Sequence, residues 1–515
     1  MKKFILPILL LFSIHSFAQV PEDALRYSFF PQNGSARNLA IGGAMGSLGG
    51  DITAVFVNPA GLGNYRTGEF VFTPGFFLNN NKTDFRSSFE KNKANSFSFG
   101  TFGAVVGFNN NYRSNTSEAV SIAVTQTANF NNTLHYKGFN NYSSRSEQFA
   151  EEFAKSNYTI DEVLNSNSPM PYTAAPALYT YLIDTFTIDG NTQVKGLPEF
   201  ILANGQALLQ ENTVKTKGGM YELAVGYAMN KNDKILVGGS IGLPIMDYKN
   251  TTTFRESDTS SNTTNKFGYF NYTDEFSTLG VGVNLKLGII YRPKEYIRLG
   301  LAVHTPSYMF TLTDKHQTTL EAQTENYEGY QSVSSNTFTN GRPGESKYTM
   351  LTPWKAMISG SYVFREIQDV RKQKAFITAD IEYVNHKGSN FFSAAENPTA
   401  EDAAYYKALS KVIKQQYKGN FNFRVGGELK FNTIMGRLGF AYYSNPYKDA
   451  ALKANKMLVS GGLGYRNKGF FVDLTYVHSF NKDVNFPYRL ADKDNTFATV
   501  KNQRGNIVAS VGVKF

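Results

Sequence analysis

No cysteine occurs among the 515 residues. Disulfides, thiolate metal sites, cysteine nucleophiles and an acylated lipoprotein anchor are all excluded by that one absence. Histidine is scarce, six residues with one in the N-terminal leader. The other five, His135, His304, His316, His386 and His478, form no i,i+4 pair and no His-x-His, so no zinc signature exists. There is a single tryptophan, Trp354, and no phosphate-binding loop. A mean hydropathy of -0.33 and the lack of any apolar run of membrane-helix length exclude a helical membrane protein. The basic excess is +10, or +8 once Lys2 and Lys3 are set aside, but it is scattered with no Lys/Arg block. Nucleic acid is therefore not an expected partner, and anionic lipid headgroups are the ordinary one.

What is abundant is aromatic and small: 42 Phe, 31 Tyr and 44 Gly. Tyr and Phe at this density suit a β-barrel with aromatic girdles at both membrane interfaces. Met1-Lys2-Lys3 opens the chain, Phe4 to Phe17 is mostly apolar, and Ser16-Phe17-Ala18 has small-x-small spacing. Residues 1–18 read as a secretory signal peptide, with the mature chain starting at Gln19.

Val20 to Tyr65 does not alternate in polarity as the later segments do. Ala36 to Asp51 is rich in Gly and Ala, and Ile52-Thr-Ala-Val-Phe-Val-Asn58-Pro59-Ala60-Gly61-Leu62 follows. Small residues allow close backbone packing, and Pro59 argues against a central strand. The expectation is a compact plug, residues 19–65, inside a barrel made of residues 66–515.

Gly43-Ala44, Asp51 and above all Asn58-Pro59-Ala60, placed after a leader and before a train of strands, resemble the N-terminal hatch of the FadL/TodX family of outer-membrane transporters for fatty acids and aromatic hydrocarbons. The resemblance implies an outer-membrane barrel that passes a hydrophobic small molecule by passive diffusion, with no cofactor and no catalysis. It implies Asn58, Pro59 and Ala60 as hatch or gate residues beneath an apolar pocket, with the ligand leaving sideways through the wall. Val55, Phe56, Val57 and Leu62 are the candidate ligand-lining residues. The same resemblance leaves two alternatives: a barrel that binds a protein partner in secretion or shuttling, and a haem-binding receptor.

The rest of the chain supplies about fourteen alternating segments, an even number as a closed antiparallel barrel needs. They begin at Glu69–Leu78 and end at Asn506–Phe515. In Asn420–Phe431, Phe421, Phe423, Val425, Leu429 and Phe431 fall on one face, and Asn420, Asn422, Arg424, Glu428 and Lys430 on the other. Asp380, Glu382 and Asp473 read as lumen lining rather than an acid/base set. Tight turns at Asn230–Asp233, Arg292–Glu295 and Arg466–Gly469 alternate with long polar stretches near 131–220, 249–278, 313–347, 385–419 and 481–505, the pattern of periplasmic turns and extracellular loops. Helices are expected after Thr399, with Tyr406, Leu409, Ile413 and Tyr417 at helical spacing, over Ser146–Lys155, and from Pro198 through Leu208 and Leu209. Phe515 closes an alternating strand and is similar to the C-terminal signal read by the barrel-assembly machinery. The chain is expected to be a monomer in contact with outer-membrane lipid.

Overall fold

The structure is a computed structural model that describes residues 21–109, 115–364, 374–450, 452 and 454–515. The signal peptide expected over residues 1–18 lies outside the described residues. Fourteen antiparallel strands form a closed barrel. They are β1 (Glu69–Phe72 and Pro74–Phe85), β2 (Ser88–Lys93, Ser96–Phe99 and Thr101–Asn109), β3 (Ser117–Asn129 and Asn132–Asn140), β4 (Leu208–Lys231), β5 (Ile235–Asp258), β6 (Tyr269–Lys294) and β7 (Ile297–His304 and Tyr308–Gln323). They continue as β8 (Gly344–Leu351 and Lys355–Phe364), β9 (Ala375–Asn385 and Asn390–Ser393), β10 (Gly419–Phe431), β11 (Ile434–Tyr443), β12 (Lys456–Asn467), β13 (Phe470–Asn485) and β14 (Ala498–Lys514). β14 returns to β1, with Glu69 opposite Lys514 and Asp84 opposite Thr499, so the main ring has no free edge.

Alternation assigns the faces. On β10 the Phe421, Phe423, Val425, Leu429 and Phe431 side chains are exposed outside, while Asn420, Asn422, Arg424 and Glu428 are buried within. The same outward set runs through Leu438 on β11, Leu463 on β12 and Ile507 on β14, each open to the outside. An apolar exterior on a closed ring, with its backbone groups paired along the ladder except at one seam between β2 and β3, is what a bilayer demands of strands. Exposed aromatics cluster near the turns (Tyr227, Tyr291, Tyr362, Phe431, Tyr465) and again toward the loops (Tyr308, Phe310, Trp354, Phe480). The turn at Arg466–Gly469 puts Lys468 and Gly469 both at positive φ, and Asn232 and Asp233 do the same between β4 and β5, a twist that matches tight hairpins.

The long polar stretches differ from expectation in one respect. β4, β5 and β6 are 24, 24 and 26 residues long, whereas about 9–11 suffice to cross a bilayer. On β5 the outward apolar series ends at Ile245, and Lys249, Thr251 and Arg255 continue it. Much of what reads as loop is therefore strand standing beyond the lipid, stabilised by pairing such as Phe254 with Tyr272.

The intervening chain caps these extensions. It holds α4 (Arg145–Ala154), α5 (Ile160–Val163), α6 (Ala174–Tyr179), a hairpin (Ile183–Ile188 with Asn191–Gly196) and α7 (Leu197–Ala203). Phe149 and Phe153 of α4 bury against Leu178, Leu197 and Ile201, and against Phe254, Phe270 and Tyr272 of the extended strands. The helix that starts beside Pro198 stops at Ala203. Leu208 and Leu209 belong to β4, where Leu208 pairs with both Asn140 and Asp258, so sheet pairing overrides the local apolar spacing. α8 (Ala400–Gln416) forms as its capping box and spacing require, with Thr399 accepting from Asp402 N and with Tyr406, Leu409 and Ile413 buried.

A buried carboxyl fastens the cap. Glu256, near the end of β5 and outside the apolar belt, accepts from Gln210 Nε2 at 2.6 Å and from the Ser144 hydroxyl. Tyr488 joins the same cluster through Gln210 and the Ser143 carbonyl. Glu147 and Arg145 also face this group, and Lys493 pairs with Glu147. Burial, opposed by these hydrogen bonds, pushes the Glu256 carboxyl up to about 7. The folded state then holds a proton that the unfolded chain gives up near pH 4.5, so this contribution to stability is complete at low pH and declines as pH rises toward 7. Glu256→Gln is expected to slow amide exchange over residues 486–490 at pH 8 and to change little at pH 4. Equal effects at both pH values would refute this origin.

Candidate functional site

Residues 21–65 lie inside the ring and touch its wall on most sides. They comprise α1 (Asp23–Arg26), α2 (Ala36–Ala40), α3 (Ala54–Val57) and a 3₁₀ turn (Pro59–Asn64). The contacts are mostly wall side chains bonded to segment backbone. Thr475 donates to Ala36 O at 2.7 Å, Ser460 to Ala40 O at 3.1 Å, Arg298 to Leu48 O at 2.9 Å, Ser240 to Val55 O at 2.7 Å and Ser117 to Gly63 O at 2.9 Å. These seal a segment too short and too glycine-rich to bury its own backbone groups. Gly439 on β11 shows how close the approach is, because a Cβ there would sit 2.1 Å from Gly42 N. Gly439→Val is expected to dislodge the segment, measurable as increased entry of small hydrophilic antibiotics into cells whose total barrel level is unchanged.

Asn58, Pro59 and Ala60 are fully buried at the wall formed by β5, β6 and β7. The Asn58 amide donates to Gly46 O at 2.6 Å and approaches Ile289 O and Leu301 O at 3.4 Å, while its oxygen accepts from Ala60 N at 3.2 Å. Its side chain thus joins two stretches of the segment and two wall strands, using both amide donors and the oxygen as only Asn or Gln can. Asn58→Ala is expected to cost about 1–3 kcal/mol through the carbonyls it leaves unpaired, read from denaturant unfolding in lipid vesicles.

Val55, Phe56, Val57 and Leu62 are buried at the interface between segment and wall. Val55, Phe56 and Leu62 pack with Val71, Ala123 and Ala224, and Val57 packs with Met45, Ala302 and Met357. None of the four lines the cavity above the segment. That cavity, of about 560 Å³, is lined by Leu25, Phe29, Phe30 and Leu39 from the segment, and by Phe77, Leu458 and Val477 from the wall. Its polar side carries Lys456 and Arg504, with Asp483, Asn481, Asn502 and Asn506. Lys456 Nζ donates to Phe29 O at 2.6 Å, and the Arg504 guanidinium stacks 5.3 Å from the Phe77 ring centroid. The Arg504 Nε and the Asn481 and Asn502 Oδ1 atoms are buried with no hydrogen-bond partner among the described residues. Residues this scattered in sequence carry no shared motif, and alternation could have marked only their lumenal face.

The lumenal carboxylates form ion pairs. Asp380 and Glu382 share Arg424, and Asp473 and Glu428 share Arg437 at 2.5 Å each. Their separate engagement with guanidinium groups is that of a bracing network. Gly238-Gly239-Ser240-Ile241-Gly242 has the spacing of a hydrolase nucleophile elbow, but it runs along β5 and Ser240 is spent on Val55 O. No histidine lines the cavity: His304 bonds Val57 O at 2.9 Å and His386 packs edge-on to Phe29. No cluster of three potential metal ligands occurs among the described residues.

One seam of the wall differs from the others. β2 and β3 share a backbone ladder only between Thr101–Asn109 and Ser117–Thr125. Beyond Thr101, β2 breaks at Gly100 and β3 bulges at Thr127. There the two strands are joined by side-chain amides: Gln126 Oε1 accepts from Phe99 N at 3.0 Å, and Asn129 donates to Phe97 O at 3.1 Å. Gln126 sits at a lipid-facing position of β3, in phase with Val120 and Ile122, yet it is only 3% exposed because it fills the seam.

No protein-family model and no curated protein matches the chain. Solved structures do. A FadL homologue of Pseudomonas aeruginosa aligns at TM-score 0.52 and 12% identity, over 95% of this chain and 100% of that one. The toluene transporter TodX of P. putida aligns at 0.51 and 13%, over 94% and 99%, and the toluene transporter TbuX of Ralstonia pickettii at 0.50 and 14%, over 94% and 99%. At these identities the likeness is one of fold, and it extends over nearly the whole of each chain: this protein has the barrel fold of the FadL homologue and of the toluene transporters.

Proposed function

We propose that this protein is an outer-membrane channel for acidic, fatty-acid-like amphiphiles, moved by passive diffusion. The amphipathic character of the lumenal cavity carries the reading. Leu25, Phe29, Phe30 and Leu458 offer an acyl chain an apolar surface, and Lys456 and Arg504 offer a carboxylate two cations. A toluene-like ligand would leave those cations without a use, and desolvating them would cost affinity. The ligand then leaves sideways into lipid through the β2–β3 seam, where Phe72, Phe76, Phe97 and Phe102 form an aromatic collar on the outside, Phe97 being 84% exposed. Asn58, Pro59 and Ala60 act in gating as the fixed pivot, holding the segment to β6 and β7 while its N-terminal part shifts. Mass spectrometry of small molecules extracted from the purified, folded protein, beside an unrelated barrel from the same membrane, tests the proposal. Enrichment of acidic amphiphiles supports it. Enrichment of haem, or no enrichment with a stoichiometric protein partner retained, would replace it with a receptor or secretion role.

A further inference from the structure

We propose that the outer face of β13, β14, β1 and β2, just beyond the apolar belt on the loop side, binds the phosphates of a lipopolysaccharide molecule in the outer leaflet. Register brings the residues together. Lys91 of β2 stands opposite Lys82 of β1, Lys82 opposite Lys501 of β14, and Lys501 opposite Lys482 of β13. Four lysines thus form one cross-strand row, with neighbouring strands about 4.8 Å apart and the whole row about 14 Å long. All four are exposed, in phase with outward-facing Phe480 on β13 and Ile507 on β14. They come from both ends of the chain, so no Lys/Arg block announces them.

Such a row is unfavourable on its own, because like charges directly opposite one another destabilise a sheet. Little nearby answers it. Among the described residues two positions away along these strands, Asp84 is the only carboxylate, and Lys93 adds a further cation. Glu90 and Asp483 alternate to the other face, and Glu90 pairs with Lys137 at 3.6 Å. None of the four ammonium groups joins an ion pair among the described residues. Farther round the rim the charges are mixed. Lys217 stands opposite Lys249 there, but Asp247 precedes Lys249 on the same face, and Lys315 stands opposite Glu345.

The row also has the right surface beneath it. Lys482 follows Phe480 by two residues, and the same face then continues through Tyr476, Ile507, Phe76 and Phe97. Acyl chains lie on that apolar surface while phosphates meet the ammonium groups above it, as basic clusters beside a bilayer do with anionic headgroups. The length of the row selects the lipid. A phospholipid brings one phosphate to one or two of the lysines. The outer leaflet of an outer membrane is built of lipopolysaccharide, whose two lipid A phosphates lie on a disaccharide and spread their charge along the row.

The test uses the full-length protein in detergent, with bisphosphorylated lipid A as the probe and native mass spectrometry as the readout. One variant carries Lys82→Gln, Lys91→Gln, Lys482→Gln and Lys501→Gln. A control of equal charge carries Lys215→Gln, Lys217→Gln, Lys249→Gln and Lys315→Gln. Heat-resistant migration on gels confirms that each is folded. Loss of four exposed charge contacts is expected to weaken lipid A binding about tenfold in the first variant, with the control staying within about twofold of wild type. Lipid A is expected to raise the urea midpoint of wild type and control but not of the first variant, which without lipid A is at least as stable as wild type because its repulsion is relieved. Monophosphoryl lipid A is expected to bind wild type more weakly than the bisphosphate. Equal losses in both variants would overturn the site in favour of net charge alone. Phosphatidylglycerol binding as tightly as lipid A would overturn the choice of lipid, and unchanged binding in the first variant, or a wild-type protein that takes up no lipid A, would overturn the proposal outright.

Discussion

Arg437→Leu is expected to destabilise the barrel by about 3–5 kcal/mol, the range for removing one partner of a buried ion pair. Arg437 is fully buried in the lumen, bonded to Glu428 and to Asp473 at 2.5 Å each. The other cations nearby are more distant, Arg37 at 3.6 Å from Glu428 and Arg466 at 4.0 Å from Asp473. Leucine would leave two carboxylates desolvated with only these outlying guanidinium groups to answer them. Arg37 belongs to the lumenal segment, so the same cluster ties α2 to β10 through Glu428. The measurement is the urea concentration at which the folded, heat-resistant form is lost in vesicles. Arg437→Leu combined with Glu428→Gln and Asp473→Asn is expected to recover most of the stability, because the cost lies in the orphaned charges rather than in the missing arginine. Arg437→Lys is expected to recover only part, since an ammonium cannot hold two carboxylates in a fixed fork. A single mutant as stable as wild type would mean that water reaches this cluster.

That network also shows what the sequence makes legible. Period-two alternation places Asn420, Asn422, Arg424 and Glu428 on one face and Phe421, Phe423 and Val425 on the other, and the structure keeps that division. It assigns Asp380, Glu382 and Asp473 to the lumen correctly, but cannot say which guanidinium each meets, because partners such as Arg437 and Asp473 become neighbours only after β11, β12 and β13 are in register. Strand ends are less readable for a similar reason. Polar residues after Lys249 look like loop from composition, yet they stay in sheet because β4, β5 and β6 pair with one another above the lipid. α8 and α4 are legible because a capping box and an apolar stripe are local. Leu208 mimics the same stripe and is claimed by β4.

The seam is the least legible feature. Gln126 reads as a polar interruption on a lipid-facing row. Only the missing backbone ladder between residues 96–100 and 126–129 gives it a purpose. Asn58 stands out by motif and proves to be tied to both the segment and the wall, with contacts to Gly46, Ile289 and Leu301. In the proposed gating Asn58 is the fixed point, and the stretch that borders the cavity, Leu25 to Asn33, is the part that would move.

The cavity itself yields the second large effect. Replacing Lys456 and Arg504 together by methionine is expected to weaken binding of a long-chain fatty acid by about 100-fold or more, each charge-assisted bond being worth about 1.5–3 kcal/mol. The Lys456 ammonium and the Arg504 guanidinium lie over the Phe29 and Phe77 rings, and methionine keeps an apolar side chain at each position while removing the charge. Binding of the corresponding fatty alcohol to the same variant is expected to stay within about threefold of wild type, because its affinity comes from the acyl chain against Leu25, Phe30, Leu458 and Val477. Single substitutions should fall between, with Arg504→Met the more damaging. Lys456 already spends a donor on Phe29 O, whereas Arg504 Nε is buried with no hydrogen-bond acceptor. Titration calorimetry in detergent, acid beside alcohol, measures all four proteins. Equal loss for acid and alcohol would show that the two cations support the shape of the cavity instead of a headgroup, and a neutral hydrocarbon would then be the better ligand to test.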